Sequence, residues 1–380
     1  MKAAQLVSWG LLVATLLGPS VLAQAQEGER PVDAVAEVGA GGAYTCVRWA
    51  SGRVSCWGWI DPGRPGTPTP PALTGPADIA GMTDAVQLAT GSTHACARRR
   101  DGTVACWGSN TRGQLGDGTT TDSAAPVSVV GLADVVHVAA GANVSCAVVA
   151  SGAAYCWGSN ALGGLGDGST TDRSRPVAVT GVSDAAEVAL GGGQTCVRRT
   201  TGAVVCWGDA GAGGFGDGST ETARRTAPGA AVAALAGAER IAAGSMYACA
   251  TTGGAVRCWG GNFGMPATPE RWARSATAIR GLTRLTDIAL GEYNACALTA
   301  AGTVSCWGGG SDGVLGNGTE SGSARPRRVS GVRGATDISV GRAHACALLG
   351  NGSVTCWGTF RDPSGATFTV STPHVVIEAP

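Results

Sequence analysis

Lysine is all but missing from this chain of 380 residues. Its one Lys is Lys2, set against 26 Arg and 27 Asp or Glu, so the part beyond residue 25 carries a net charge near −1. A near-neutral chain without a basic face is a poor partner for nucleic acid, whose phosphates are gripped by clustered cations. Its short arginine groups, Arg98-Arg99-Arg100 and Arg325, Arg327 and Arg328, read as solvated turn faces. Aromatic residues are scarce, at 5%, while 62 residues are Gly. With the poorest ordinary helix former so common, a mainly helical fold is excluded. Long apolar runs are lacking too. The best lies between Leu6 and Leu17, interrupted by Ser8 and Gly10, and falls short of the roughly 18–20 residues that span a bilayer. Placed after Lys2 and before Ala23-Gln24-Ala25, it reads as the core of a cleavable secretory signal over residues 1–25. No later segment is apolar enough to span a membrane. The mature chain, opening on a linking segment at 26–37, is therefore expected to be periplasmic or secreted.

What is abundant is repetition. A short alternating strand leads to Gly, a few variable residues and a Cys; a hairpin then leads to a second Cys followed by Trp-Gly, a Gly-rich loop and a closing strand. The pattern occurs seven times, with second cysteines at Cys56, Cys106, Cys156, Cys206, Cys258, Cys306 and Cys356. The period is 50 residues except for 52 and 48 around the fifth copy. Each copy holds about four short strands; in the second they are expected near Val86–Ala89, His94–Arg99, Thr103–Trp107 and Val127–Val130. Units of this kind predict an all-β, seven-bladed β-propeller over residues 38–380, with about four antiparallel strands per blade. The first strand is expected beside the last repeat, closing the ring. Trp57 and its counterparts after every second Cys are expected to pack between blades.

The 14 cysteines form seven local pairs: Cys46–Cys56, Cys96–Cys106, Cys146–Cys156, Cys196–Cys206, Cys249–Cys258, Cys296–Cys306 and Cys346–Cys356. Six are ten residues apart and enclose a three-residue loop ending in Gly, as in Arg100-Asp101-Gly102, the position where such a loop needs positive φ. Counting outward from Arg99 opposite Thr103 sets Cys96 opposite Cys106. The fifth pair is nine apart, but its turn is the two-residue Gly253-Gly254, and counting from Thr252 opposite Ala255 sets Cys249 opposite Cys258. Directly opposed cysteines suit disulfides, whereas zinc sites call for Cys-x-x-Cys or Cys/His clusters that this chain lacks.

Gly91-x-x-His94-x-Cys96-Ala97, followed by Gly102-x-Val104-x-Cys106-Trp107-Gly108-x-Asn110-x-x-Gly113-Gln114-Leu115-Gly116-Asp117-Gly118, resembles the regulator of chromosome condensation repeat. The resemblance runs from about Val38 to Ile377 and implies the propeller fold. It extends to secreted propellers that inhibit β-lactamases by burying a loop of their target. Guanine-nucleotide exchange, the activity that gave the family its name, is disfavoured here by export and by the lack of a long insertion between strands.

Other motif matches lack their context. Gly211–Gly216 fits G-x-G-x-x-G without a following helix, and Gly309–Gly313 fits the nucleophile-elbow pattern inside a repeat loop. Asp117, Asp122, Asp167 and Asp172 lie in loops too sparse in acids for calcium. No cofactor, metal or catalytic set is expected. Divergence between copies is more informative. The residue two before the first Cys runs Tyr44, His94, Val144, Gln194, Tyr247, Asn294 and His344, with distinctive neighbours Met246, Glu292, Tyr293 and Arg342. The Gly-rich loop is replaced in copies one, five and seven by stretches containing Trp59, Phe263, Trp272 and Phe360. On a closed ring, copies five, six, seven and one are neighbours, and exposed Tyr, Trp and Arg dominate binding hot spots. The expectation is a monomeric, non-catalytic binding propeller, its partner another protein met by Tyr44, Tyr247, Glu292, Tyr293, Arg342 and His344. The alternatives are a glycan-binding lectin and, behind it, an exchange factor or an enzyme.

Overall fold

Each repeat folds into its own antiparallel sheet, built from strands that follow one another in the chain. The computed structural model describes residues 33–59, 73–209, 211, 214–220, 224–235, 237–245, 247–261 and 272–379. The signal segment 1–25, the linker up to residue 32, Met246 and Phe263 lie outside the described residues, as do the side chains of Trp59 and Trp272. Blade 2 is typical, with strands Ala85–Thr90, His94–Arg99, Val104–Gly108 and Ser123–Ser128 paired in that order. Seven such sheets succeed one another, six of four strands and one of three. The exception is blade 4, where the bridges Val205↔Ala231 and Gly208↔Arg225 stand in place of the fourth strand.

The fourth strand of blade 2 starts four residues before the expected Val127 and takes in Pro126. It is the outermost strand of its sheet, and an edge strand tolerates a residue that cannot donate to the ladder. A bulge between Cys106 and Gly108 then brings Gly108 opposite Ser123 and Cys106 opposite Val127.

The hairpins keep the register read from their turns. The closing glycines of the three-residue loops, such as Gly102 and Gly302, have φ between +69° and +95°. In blade 5 both Gly253 and Gly254 are positive, at 57° and 71°, and Thr252 faces Ala255. Every Cys therefore meets its partner, and all seven pairs are disulfides with Cα atoms 4.0–4.1 Å apart. That is the closer spacing of the non-hydrogen-bonded antiparallel pair.

Packing between blades follows one rule. The disulfide of each blade is buried against the Trp of the next: Cys46 and Cys56 share a core with Trp107, Cys96 and Cys106 with Trp157, Cys146 and Cys156 with Trp207. The series runs on through Trp259, Trp307 and Trp357. It closes where Cys346 and Cys356 meet Trp57. The first strand, Val35–Ala40, lies beside blade 7 as expected of a closed ring, but it stays in its own sheet and packs by its face. The first strand itself sends two bonds across this seam, from Val38 N–H to Asp337 Oδ2 (2.9 Å) and from Ala40 N–H to Ser339 Oγ (2.8 Å).

The Gly-rich loops of blades 2, 3 and 6 also receive the indole N–H of the next blade, whereas Trp259, behind the loop of blade 4, has no such partner among the described residues. Trp157 donates to the Gln114 carbonyl, Trp207 to Gly164 and Trp357 to Val314, each at 2.9 Å. Trp57, behind the irregular loop of blade 7, has no such partner among the described residues.

Each disulfide closes a loop of about ten residues, so removing one leaves more freedom in the unfolded chain. Replacing Cys146 and Cys156 together by Ser is expected to lower the unfolding free energy by about 2–3 kcal/mol, read as a shift of the urea midpoint at unchanged slope.

Candidate functional site

In a four-stranded antiparallel blade, the loop joining strands one and two and the loop joining strands three and four leave from the same end. Main-chain bonds tie the two together: Ser109 N–H donates to Thr93 O (3.0 Å), Gly309 to Tyr293 (2.8 Å) and Thr359 to Ala343 (2.8 Å). Both kinds of divergent loop thus share one face of the ring. The first loops of all seven blades converge there on a central funnel of about 920 Å³.

The funnel rim is a ring of glycines. A Cβ on Gly91 would lie 2.3 Å from the Gly141 carbonyl oxygen, on Gly191 1.9 Å from that of Gly244, and on Gly341 2.2 Å from that of Gly41. Each loop presses its Gly against the backbone of the next blade. Close approach, and no turn requirement, explains this Gly, although in blade 1 the atoms nearest to a Cβ on Gly41 are those of the Tyr44 ring.

The position two before the first Cys lies under the rim, within the wall. Tyr44, Tyr247 and His344 are each 1% exposed. The Tyr44 hydroxyl donates to the Gly91 and His94 carbonyls of blade 2, and that of Tyr247 donates to the Asn294 carbonyl (2.6 Å) of blade 6. Burial pushes both phenols well above their ordinary pKa. His344 Nε2 meets Thr45 Oγ1 at 3.0 Å across the closing seam, and His94 Nε2 meets Ser145 Oγ at 2.8 Å. Ser145 itself donates to the Gln114 carbonyl, so it accepts from His94, which places the His94 proton on Nε2. These residues brace neighbouring blades, and Tyr44, Tyr247 and His344 lie buried beneath the rim.

The remaining three candidates do reach solvent, and they meet one another. Tyr293 is 46% exposed. The Arg342 side chain is 73% exposed, and its Nε lies 3.0 Å from Glu292 Oε2. Glu292 also takes a hydrogen bond from the Tyr293 hydroxyl, which raises the phenol pKa. This cluster bridges blades 6 and 7. Asp312 of the blade 6 loop and Arg361 of the long blade 7 hairpin, Val354–Arg361 with Thr367–Ile377, complete that side of the funnel. Sequence reasoning missed both. The signal for Asp312 was faint, since Arg112 and Leu162 hold its place in blades 2 and 3. Phe360 sits inside the hairpin, 4% exposed, with its ring 5.8 Å from that of Phe368.

Local geometry accounts for the elbow-like and calcium-like matches, while Ala212 and Gly213 of the G-x-G-x-x-G match lie outside the described residues. Ser311–Gly313 is a single 3-10 turn, so no strand-to-helix elbow presents Ser311. Asp117 accepts from Thr119 N–H (2.9 Å) and Asn110 Nδ2 (3.2 Å), and Asp122 accepts from Asn110 N–H (2.6 Å). These acids are engaged in holding their own loop.

Models of the regulator of chromosome condensation (RCC1) repeat match residues 101–148, 151–198 and 301–348, and a second such model matches 85–114, 135–163 and 285–314. No curated protein matches the sequence. Solved structures with a similar fold include human WBSCR16, at 20% identity and TM-score 0.73 over 84% of this chain and 88% of that one. Another is Prp20p of Saccharomyces cerevisiae, at 19% identity and TM-score 0.72 over 91% and 88%, a protein described for its binding to Gsp1p and histones. A third is the ectodomain of the Arabidopsis thaliana receptor kinase ACR4, at 18% identity and TM-score 0.50 over 86% and 98%.

Two outcomes follow from the rim and its braces. Gly191→Ala is expected to destabilise the ring by roughly 1–3 kcal/mol, the cost of overpacking against rigid backbone, measured by chemical unfolding. His344 is held by burial at a pKa of about 4, below the ordinary 6.5. The unfolded chain therefore takes up this proton first, and the stability present above pH 6.5 is lost as pH falls towards 4. His344→Gln, which copies Gln194 of blade 4, removes that loss. Its stability relative to the unsubstituted protein is expected to rise by roughly 2–3 kcal/mol between pH 7 and 4.5, compared by urea titration at each pH.

Proposed function

We propose that this chain, which belongs to the regulator of chromosome condensation repeat family, is an exported, non-catalytic propeller that binds another protein through the funnel face at blades 6 and 7. The observation that carries the reading is the unevenness of the rim. Blades 2, 3 and 4 offer Ser92-Thr93, Ala142-Asn143 and Gly192-Gly193, whereas blades 6 and 7 offer Glu292-Tyr293 and Arg342. A partner that needed only shape would find the same surface all round. One that needs a large amphipathic ring and a charged pair finds them in one sector, and Tyr and Arg are the residues most enriched at hot spots.

Export is supported by the leader-like residues 1–25 and by the chemistry of the cysteines. No described cysteine is free, and disulfides in such number persist in oxidising compartments. A non-catalytic role is supported by the use of the funnel's polar groups. His94 and His344 hold neighbouring blades together, and Glu292 is engaged by Arg342 and Tyr293. The family fold serves macromolecular partners elsewhere, as Prp20p does with Gsp1p and histones.

The test begins with affinity capture by the oxidised protein, followed by binding measurements on each captured protein. Tyr293→Ala combined with Arg342→Ala is expected to weaken the specific partner by about 10- to 100-fold, the loss typical of hot-spot truncation, with an unchanged melting temperature. Arg112→Ala, at a regular loop of blade 2, serves as the control and leaves affinity unaltered. Equal affinity of the double variant and the unsubstituted protein would overturn the assignment of this sector.

A further inference from the structure

Below the rim, the innermost strands bring one residue each to a common level of the central channel. The inner strand is the edge of its sheet, so its outward N–H groups need partners from elsewhere. In most blades this residue supplies one. Glu37 Oε2 accepts from Leu88 N–H (3.1 Å), Gln87 Oε1 from Val138 N–H (3.1 Å) and Asp337 Oδ2 from Val38 N–H (2.9 Å). Each acceptor thereby ties its blade to the next. Blades 3, 5 and 6 depart from the pattern: His137 and Arg240 stand in the equivalent places of blades 3 and 5, and Asp287 of blade 6 accepts from Ile288 N–H of its own strand (2.8 Å). An arginine has no acceptor to offer.

Arginines from the second strands reinforce the exception. Arg98 stands opposite Gln87 in blade 2, and Arg198 stands opposite Glu187 in blade 4. Arg198 is engaged by Glu187 at 2.9 Å. Arg98 Nε and His137 Nδ1 are buried and have no hydrogen-bond partner among the described residues. The charged groups acting on His137 are Arg240, Arg198 and Arg98, all cationic; with burial, the larger effect, they hold its pKa at about 4. The next loop begins three residues on, at Ala140 and Gly141, about 10 Å higher at the rise of a β-strand. On the side of blades 2 to 5 the channel thus carries Arg98, Arg198 and Arg240 against the one carboxylate Glu187, with Glu37 facing Arg98 and Asp287 facing Arg240 from the flanking blades.

We infer that this part of the channel binds a small inorganic oxoanion, sulfate or phosphate, between His137, Arg98 and Arg240. Such an ion presents acceptor oxygens in several directions. It meets the Arg98 and Arg240 guanidinium groups and the His137 imidazole, which come from three different blades, and supplies an acceptor that Arg240 does not.

The test uses the full oxidised protein, with sulfate and phosphate titrated against chloride at constant ionic strength. The imidazole resonances of His137 are expected to shift saturably with either oxoanion, and the His137 pKa to rise by about one unit or more as a negative charge arrives beside it. Arg98→Gln and Arg240→Gln are each expected to weaken binding about tenfold, the value of one charge-assisted hydrogen bond. Arg240 is exposed, so its replacement leaves the fold intact. Should Arg98→Gln fail to fold, the histidine titration of the unsubstituted protein decides alone. No saturable change at His137 up to tens of millimolar oxoanion, or full binding in Arg240→Gln, would overturn the inference.

Discussion

Everything in this ring depends on a wedge of indole against disulfide. Each Trp fills the space between blades and rests on the bridged cysteines of the blade before it. An aromatic of this size removes about 150–250 Å² from water, roughly 4–6 kcal/mol of apolar burial at each interface. The disulfide does two things at that contact. It presents a fixed, polarisable surface to the ring, and it holds the hairpin register that aims the following Trp at the next interface. The rest of the wall is small, made largely of Ala, Val and Gly, and without this wedge it offers little for seven slabs to close upon.

The covalent half of the scheme was legible from cysteine spacing and turn chemistry alone. Gly253-Gly254 is the clearest case, because the loss of one residue changed the turn type and left Cys249 facing Cys258. Blade edges were read less well. The fourth strand of blade 2, expected near Val127, begins at Ser123, because the context of an outermost strand with a free side is not written in local sequence. The candidate site divided along the same line. Variation at the position two before the first Cys looked like recognition, yet in blades 1, 2, 5 and 7 it is matched inside the wall. Where the next blade carries a hydroxyl, at Ser145 or Thr45, the residue is His94 or His344. Where it carries Ala95 or Ala295, the residue is Tyr44 or Tyr247, long enough to reach the main chain. Such pairing lies about 50 residues apart, beyond the reach of periodicity or propensity, although a comparison of each copy with its successor would have found it.

What then distinguishes the outside of the funnel is freedom. The glycines of the rim are held by contact with the neighbouring backbone, and the residues beneath them by hydrogen bonds across blades. The two residues after each rim Gly are less constrained, except where they are glycines set against main chain, as Gly42 is against Ser92 and Gly193 against Asp209. In blades 2, 3 and 4 they are small or polar; in blades 6 and 7 they become Glu292, Tyr293 and Arg342, which find each other across the gap. A surface of this kind is built by substituting a few side chains on a frame that does not register the change.

The blades assemble head to tail, each presenting a disulfide on one side and a tryptophan on the other, with no strand shared between neighbours. In the language of assemblies this is a heterologous interface that closes because its rotation happens to divide the circle. A duplicated copy carries both halves of the joint with it and is competent to dock wherever it is inserted. The number of blades is thus a property of the angle set by the packed indole, and the gene is free to lengthen by whole units until that angle is used up.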